Sequence, residues 1–151
     1  ARKRRGRERM RSRKNQYEGG DALLAALKCE LGVTPVVAVE CTFAQDPAIT
    51  LKEVRSLAKQ VELSVVANRR AQVPLGLAMT GVAGQVAEIA DGMGAKGWRI
   101  SRHEGPVAAS FPGRRVVVLS PDAANPLLPE GKTPLDPSAV YVIGGIVDRS
   151  V

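Results

Sequence analysis

Only two cysteines, Cys29 and Cys41, and one histidine, His103, occur in the 151 residues. Two thiols twelve positions apart match no zinc-ligand spacing, and one imidazole cannot complete a site, so no metal centre is expected. Composition leaves a catalytic Cys–His pair open, but buried thiols are commoner, and Cys41 falls in an apolar, strand-like run that reads as core. So few thiols fit a reducing compartment. Nowhere do about eighteen apolar residues follow one another, so no segment spans a membrane as a helix and no membrane partner is expected. A secretory signal pattern is missing too, because the chain opens on charge with no apolar stretch behind it. Acidic residues are nearly absent from the front: Glu8 is the only one between Ala1 and Lys14.

What is present there is basic. Arg2, Lys3, Arg4, Arg5, Arg7, Arg9, Arg11, Arg13 and Lys14 stand against that single acid, while the remaining residues hold thirteen bases and fourteen acids. The net charge of +7 therefore belongs to an arm and not to the body. A cationic arm on a near-neutral body suits a polyanion, RNA or DNA, or serves as a solvated tail or localisation signal. Residues 1–18 carry almost no apolar side chain and cannot bury a face by themselves. The whole chain is 44% hydrophobic and 25% charged, and its length fits one domain.

Beyond Gly19-Gly20, Asp21 caps a short helix from Ala22 to Leu31 whose greasy side is Leu23, Leu24, Leu27 and Leu31. Pro35 to Cys41 is nearly all apolar and β-branched, as in a strand covered on both faces. Thr50 with Glu53 forms a capping-box pattern. It opens a helix with Val54, Leu57, Ala58, Val61 and Val65 at helical spacing, running to about Ala67, with Asn68-Arg69-Arg70 at its end. Strands are then expected over Pro74–Thr80, Trp98–Ser101, Arg114–Ser120 (the strongest pattern) and Ala139–Ile143, with a helix over Gln85–Met93. Pro126, Pro129, Pro134 and Pro137 mark 125–137 as a loop. Alternating strands and helices predict an α/β fold, a parallel sheet flanked by helices, with ligands at the carboxyl ends of the strands.

Three features there could carry chemistry. Gly144-Gly145 follows a strand and lets backbone amides approach a ligand, although on pattern alone it reads as a tight turn. Asp148, just beyond, could accept a proton or could be a cap or surface charge. Asn68-Arg69-Arg70 could grip phosphates, or could set cations against a helix dipole.

In this order, Val36–Phe43, Asn68-Arg69-Arg70-Ala71, Leu119-Ser120-Pro121-Asp122 and above all Tyr141-Val142-Ile143-Gly144-Gly145-Ile146-Val147-Asp148-Arg149 resemble one family. That family is the tRNA position-nine N1-purine methyltransferases of the SPOUT class, and the likeness covers residues 34–150. The resemblance implies a SPOUT-like methyltransferase domain over 33–151, preceded over 1–32 by a basic RNA-binding arm plus short helix. It implies S-adenosylmethionine as donor and N1 of the guanine or adenine at the ninth nucleotide of tRNA as acceptor. Asp148 would take the N1 proton. Leu119, Ser120, Ile143, Gly144 and Gly145 would line the donor pocket. The arm's Arg and Lys residues, with Asn68, Arg69, Arg70 and Arg149, would hold tRNA or another structured RNA. The expected location is intracellular, in nucleus and cytoplasm or in the mitochondrion.

This sequence departs from the family in three ways. The family continues past the Gly-Gly-Ile-Val-Asp run to complete a C-terminal knot, so the domain is expected to be incomplete at Val151. The proline-rich loop before Ala139 is expanded. Glu40 and Ala44 stand where acids are usual, which leaves one carboxylate missing. A second reading is a catalytically inactive SPOUT-like RNA-binding or scaffold subunit, with protein partners in a ribonucleoprotein particle. A third is a basic-tailed α/β domain of other function. Donor binding separates the first two.

Overall fold

A computed structural model of the chain describes residues 24–25, 29–32, 34–127 and 134–146. The basic arm, Asp148 and Arg149 lie outside the described residues, as do Asp21, Leu23 and Leu27 of the expected first helix.

The apolar runs form β1 (Val36–Glu40), β2 (Gly76–Thr80), β3 (Ser101–Arg102), β4 (Arg115–Val118) and β5 (Ala139–Gly144). All pair in parallel, in the order β3-β2-β1-β5-β4. Helices α1 (Leu51–Arg70), α2 (Gly84–Gly92) and α3 (Val107–Ser110) lie between them in the chain. The expected α/β class therefore holds.

Side chains alternate across a strand, so each central strand feeds two cores. Val39, Leu77 and Met79 meet Val54, Leu57, Val61 and Val65 of α1 and Val86 and Ala90 of α2. Val36, Ala38, Ala78 and Val140 meet Cys29, Phe111 and Val107 on the other face. Fully burying a branched side chain contributes about 1.5–3 kcal/mol, so the α1 stripe alone is a major source of stability. The Thr50 cap forms as expected: its hydroxyl accepts from Glu53 N, and Glu53 Oε2 accepts from Thr50 N at 2.8 Å. A cap of this kind adds about 1 kcal/mol.

Three expectations need correction. α1 continues to Arg70, one turn further than Ala67, because the Asn68 side chain closes it. Its amide donates to Leu75 O at 2.9 Å and accepts from Leu75 N at 2.8 Å. In the first helix, where Leu24, Ala25, Cys29 and Glu30 are helical, the buried positions are Ala25 and Cys29, whereas Leu24 and Leu31 are exposed. Small residues win because the helix approaches Gly76 closely. A Cβ on that glycine would sit 3.4 Å from Cys29 Sγ and 3.1 Å from Val36 Cγ2. The strand expected over Trp98–Ser101 lies at Ser101–Arg102. The strand expected over Arg114–Ser120 does form, at Arg115–Val118, and it is an edge strand with Val116 and Val118 exposed.

The chain steps outward from β1 to β3, then crosses to β4 and returns through β5. The strand order thus reverses beside β1 and β5. In open parallel sheets a crevice forms at such a reversal, at the carboxyl ends of the strands.

Candidate functional site

The carboxyl edge is organised around Glu40, the last residue of the central strand. It ends the apolar run Val-Val-Ala-Val-Glu and is buried. One carboxylate oxygen accepts from Thr42 N at 3.0 Å and from the Thr42 hydroxyl. The other accepts from Thr80 Oγ1 at 3.1 Å and from Val107 N at 2.9 Å. A buried carboxylate is tolerable only when its lone pairs are filled in this way. Burial pushes the Glu40 carboxyl up, but the donations from Thr42, Val107 and Thr80 together outweigh it and hold the group below its ordinary 4.5. Gly81 completes the cluster at φ 66°, where an added Cβ would stand 2.6 Å from Glu40 Oε1.

A carboxyl depressed in the folded state stabilises the fold above the unfolded-state value, and that stability is lost as pH falls through the lower folded value. Glu40→Gln keeps the shape but points an amide N–H₂ at donors. We expect a loss of about 2 kcal/mol at pH 7, read by urea unfolding. The gap between wild type and variant should shrink as pH drops below 4.5. A gap that stays constant from pH 7 to pH 3 would show that the charge of Glu40 does not matter.

The main-chain carbonyl of Glu40 has its own partner, Gly145 N, at 2.7 Å. A Cβ on Gly145 would lie 2.6 Å from that oxygen and 3.3 Å from Cys41 Cα. Neither glycine of the pair has positive φ. The pair therefore does not supply left-handed backbone; close backbone contact explains Gly145. Gly144 is exposed, with nothing nearer to an added Cβ than Ile146 Cδ1 at 3.9 Å.

Beside this junction a cleft of about 560 Å³ opens at the ends of β4 and β5. Its walls include Val118, Leu119, Ser120, Asn125, Leu127 and Ile143. Three of the five residues expected around a donor, Leu119, Ser120 and Ile143, thus share one cavity. Gly144 and Gly145 do not line it. The walls are mostly apolar, with the Ser120 hydroxyl and the Asn125 amide as polar points, and Val118, Leu127 and Ile143 are exposed. Such a volume and lining suit a small organic ligand with a few fixed polar groups.

Arg69 and Arg70 are not at this edge. They end α1, next to the loop that enters β2, at the amino ends of the strands. A five-residue strand separates the two edges by roughly 15 Å. Both arginines are exposed, whereas the Asn68 amide is committed to Leu75.

The Cys–His option fails on geometry. Cys41 Sγ turns to Val39 O, and Cys29 Sγ to Leu77 O. Burial pushes the Cys29 thiol up to about 11 and the Cys41 thiol up to about 12, so neither is a nucleophile near neutral pH. His103 Nε2 faces Ser101 Oγ at 2.8 Å, and its ring tilts against Phe111. Sequence reasoning noted Glu40 but missed its role as the hub of the edge. The available signal was an acid closing an otherwise apolar strand.

The sequence profile described as tRNA (guanine(9)-N(1))-methyltransferase TRM10/TRM10A matches residues 1–151. The chain is 31% identical over 115 residues to tRNA methyltransferase 10 homolog A of Mus musculus, covering 74% of this chain and 33% of that protein. Against the Bos taurus homolog A it is 33% identical over 116 residues, covering 74% and 32%. The chain thus spans about a third of the length of these relatives. Among solved structures, full-length spTrm10 in complex with SAH superposes with TM-score 0.66 at 28% identity, over 78% of this chain and 63% of that one. A dual-specific Trm10 from Thermococcus kodakaraensis gives TM-score 0.58 at 26% identity, over 77% and 65%.

Proposed function

This chain belongs to the tRNA (guanine(9)-N(1))-methyltransferase TRM10/TRM10A family, and from that membership we propose that the full natural chain transfers a methyl group from S-adenosylmethionine to N1 of the purine at the ninth nucleotide of tRNA. The observation that carries this reading is the cleft at the ends of β4 and β5. It lies in the segment where the family-specific run Tyr141–Arg149 begins.

S-adenosylmethionine supplies an electrophilic methyl on a sulfonium, so the protein's task is to align and to remove a proton. Leu119, Ile143 and Leu127 give the cleft apolar walls for such a ligand, and Ser120 and Asn125 give it hydrogen-bonding points. The solved complex of spTrm10 with SAH supports a donor of this class. Gly144 and Gly145 contribute backbone: Gly145 ties the strand end to Glu40, and Gly144 leaves space at the rim. Asp148 serves as the proton acceptor.

RNA is held elsewhere as well. The basic arm, Arg149 and the exposed pair Arg69 and Arg70 contact tRNA phosphates, with Asn68 fixing the helix end that presents the pair. Because that pair sits at the far edge of the sheet, it grips tRNA away from the reacting base, a distance that a folded tRNA spans easily.

The test uses the full natural chain with methyl-labelled S-adenosylmethionine and tRNA transcripts carrying guanine or adenine at position nine. Label at N1 of that nucleotide is the expected result. Tight tRNA binding without donor binding or label would favour the inactive scaffold. In the same assay, deleting residues 1–14 should flatten the fall of tRNA affinity with salt, because phosphate contacts release counterions. An unchanged slope would remove the arm from the interface.

A further inference from the structure

Aromatic side chains make up only 3% of this sequence. Among the described residues Tyr141 and Phe111 are buried, and Trp98 packs against the α1–α2 core. Phe43 is the one exposed Phe, Tyr or Trp side chain among the described residues, at 55%.

The backbone forces that exposure. Phe43 sits in a 3-10 turn, Thr42–Gln45, directly after β1. Cys41 and Ala44 on either side of it are buried. Cys41 N donates to Thr80 O at 2.8 Å, and Ala44 N to Cys41 O at 3.0 Å. Thr42 binds the Glu40 carboxylate through both its amide and its hydroxyl. Gln45 Nε2 donates to Gly81 O at 2.5 Å. With its neighbours pinned, the ring cannot turn inward without dismantling the edge. It is an apolar ring carried on a turn whose other residues are hydrogen-bonded to the sheet edge.

Its position is as informative as its exposure. The turn leaves β1 where Gly145 meets Glu40 and Cys41. Phe43 therefore shares a rim with the Ile143–Gly145 strand end. Its surface neighbours Thr42, Gln45 and Asp46 are polar and exposed, so the ring stands singly in its turn. A lone flat ring among polar groups suits a planar heterocycle better than a protein surface, because every nucleobase offers a π-face.

We propose that Phe43 is a stacking platform for a nucleobase of the RNA substrate at the carboxyl edge. The proposal rests on the methyltransferase reading above and adds the residue that orients the base. No covalent step is involved. Stacking on an aromatic ring typically contributes enough binding energy for about a tenfold or larger effect when the ring is removed.

The experiment compares Phe43→Ala, Phe43→Leu, Phe43→Tyr and Phe43→Trp in the full natural chain. Single-turnover methylation of tRNA, donor affinity and melting temperature are read for each. Expected are losses of about tenfold or more in methylation for Ala and Leu, near wild-type rates for Tyr and Trp, and unchanged melting and donor affinity throughout. Emission of the Phe43→Trp variant, corrected for the emission of the unaltered chain, should be quenched on adding tRNA. Rescue by aromatic rings but not by leucine is what a merely structural role would not give. If Leu performs as Phe does, or if the loss falls on donor affinity while transfer is unchanged, the proposal is overturned. An unaltered chain that methylates no tRNA refutes the function above, whereas an active enzyme indifferent to Phe43→Leu refutes only the stacking role.

Discussion

Gly145→Ala is expected to destabilise the fold by about 3 kcal/mol, while its neighbour Gly144→Ala stays within about 1 kcal/mol of wild type. Both are the smallest substitution available, and the two residues are adjacent, so the contrast isolates geometry. The added methyl at position 145 would stand 2.6 Å from the Glu40 carbonyl oxygen and 3.3 Å from Cys41 Cα. These are backbone atoms of the central strand and cannot swing aside as a flexible side chain would. Nor can Glu40 retreat, because its carboxylate is bound by Thr42, Thr80 and Val107. The strand end at Gly145 must therefore lift, which breaks the 2.7 Å bond from Gly145 N and leaves a buried carbonyl unpaired. Overpacking costs about 1–3 kcal/mol and an orphaned buried acceptor about as much again, with some relief from relaxation. Conformational freedom is not the cause, because φ at Gly145 is not positive. Gly144 is open, with Ile146 Cδ1 at 3.9 Å. Thermal melting of both variants decides the matter: a fall on the order of 10 °C for Gly145→Ala, against little change for Gly144→Ala. Equal melting temperatures would mean that the β1–β5 junction gives way easily.

How much of this could be read beforehand follows from how local each cause is. The α1 stripe of Val54, Leu57, Val61 and Val65 and the Thr50–Glu53 cap are set by neighbours a turn away, so periodicity and capping chemistry revealed them. Strand β1 was legible for a similar reason: a β-branched run covered on both faces has little polar character to confuse it. Local pattern said nothing about depth in the sheet, so the strand pattern over Arg114–Ser120 was legible but its place at the edge was not. Among the described residues of the first helix it also took Leu24 and Leu31 as the buried positions, whereas closeness to Gly76, 47 residues after Cys29, goes with burial of Ala25 and Cys29. The site divides in the same way. Leu119, Ser120 and Ile143 follow from the rule that ligands gather at strand ends, and the cleft unites them. Glu40 as a hub depends on Thr80 and Val107, 40 and 67 residues away, which no spacing in the sequence announces. That Arg69 and Arg70 face the opposite edge depends on the direction of α1 and not on their identity.

The larger functional effect is expected of Asp148→Asn. Asp148 stands three residues past Gly145. Asp148 lies outside the described residues, and its role rests on the match of Tyr141–Arg149 to the family's motif. Guanine carries a proton on N1. When N1 bonds to the incoming methyl carbon, that proton must leave, and the C–S bonding pair stays with sulfur. An ionised aspartate is an acceptor at neutral pH. Asparagine matches its shape and still forms hydrogen bonds, but it cannot take the proton. For a chain with guanine at position nine of the tRNA, the single-turnover rate should fall by about 10²- to 10³-fold, with tRNA and donor affinities within about threefold. The variant should regain part of its rate as pH rises, since solvent base can then take the proton. Adenine presents a lone pair at N1, so a substrate with adenine at position nine should lose far less. Wild-type rates on the guanine substrate in Asp148→Asn would end the proton-acceptor role. Equal losses on guanine and adenine would assign Asp148 to positioning the base, because only a demand tied to the N1 proton separates the two substrates.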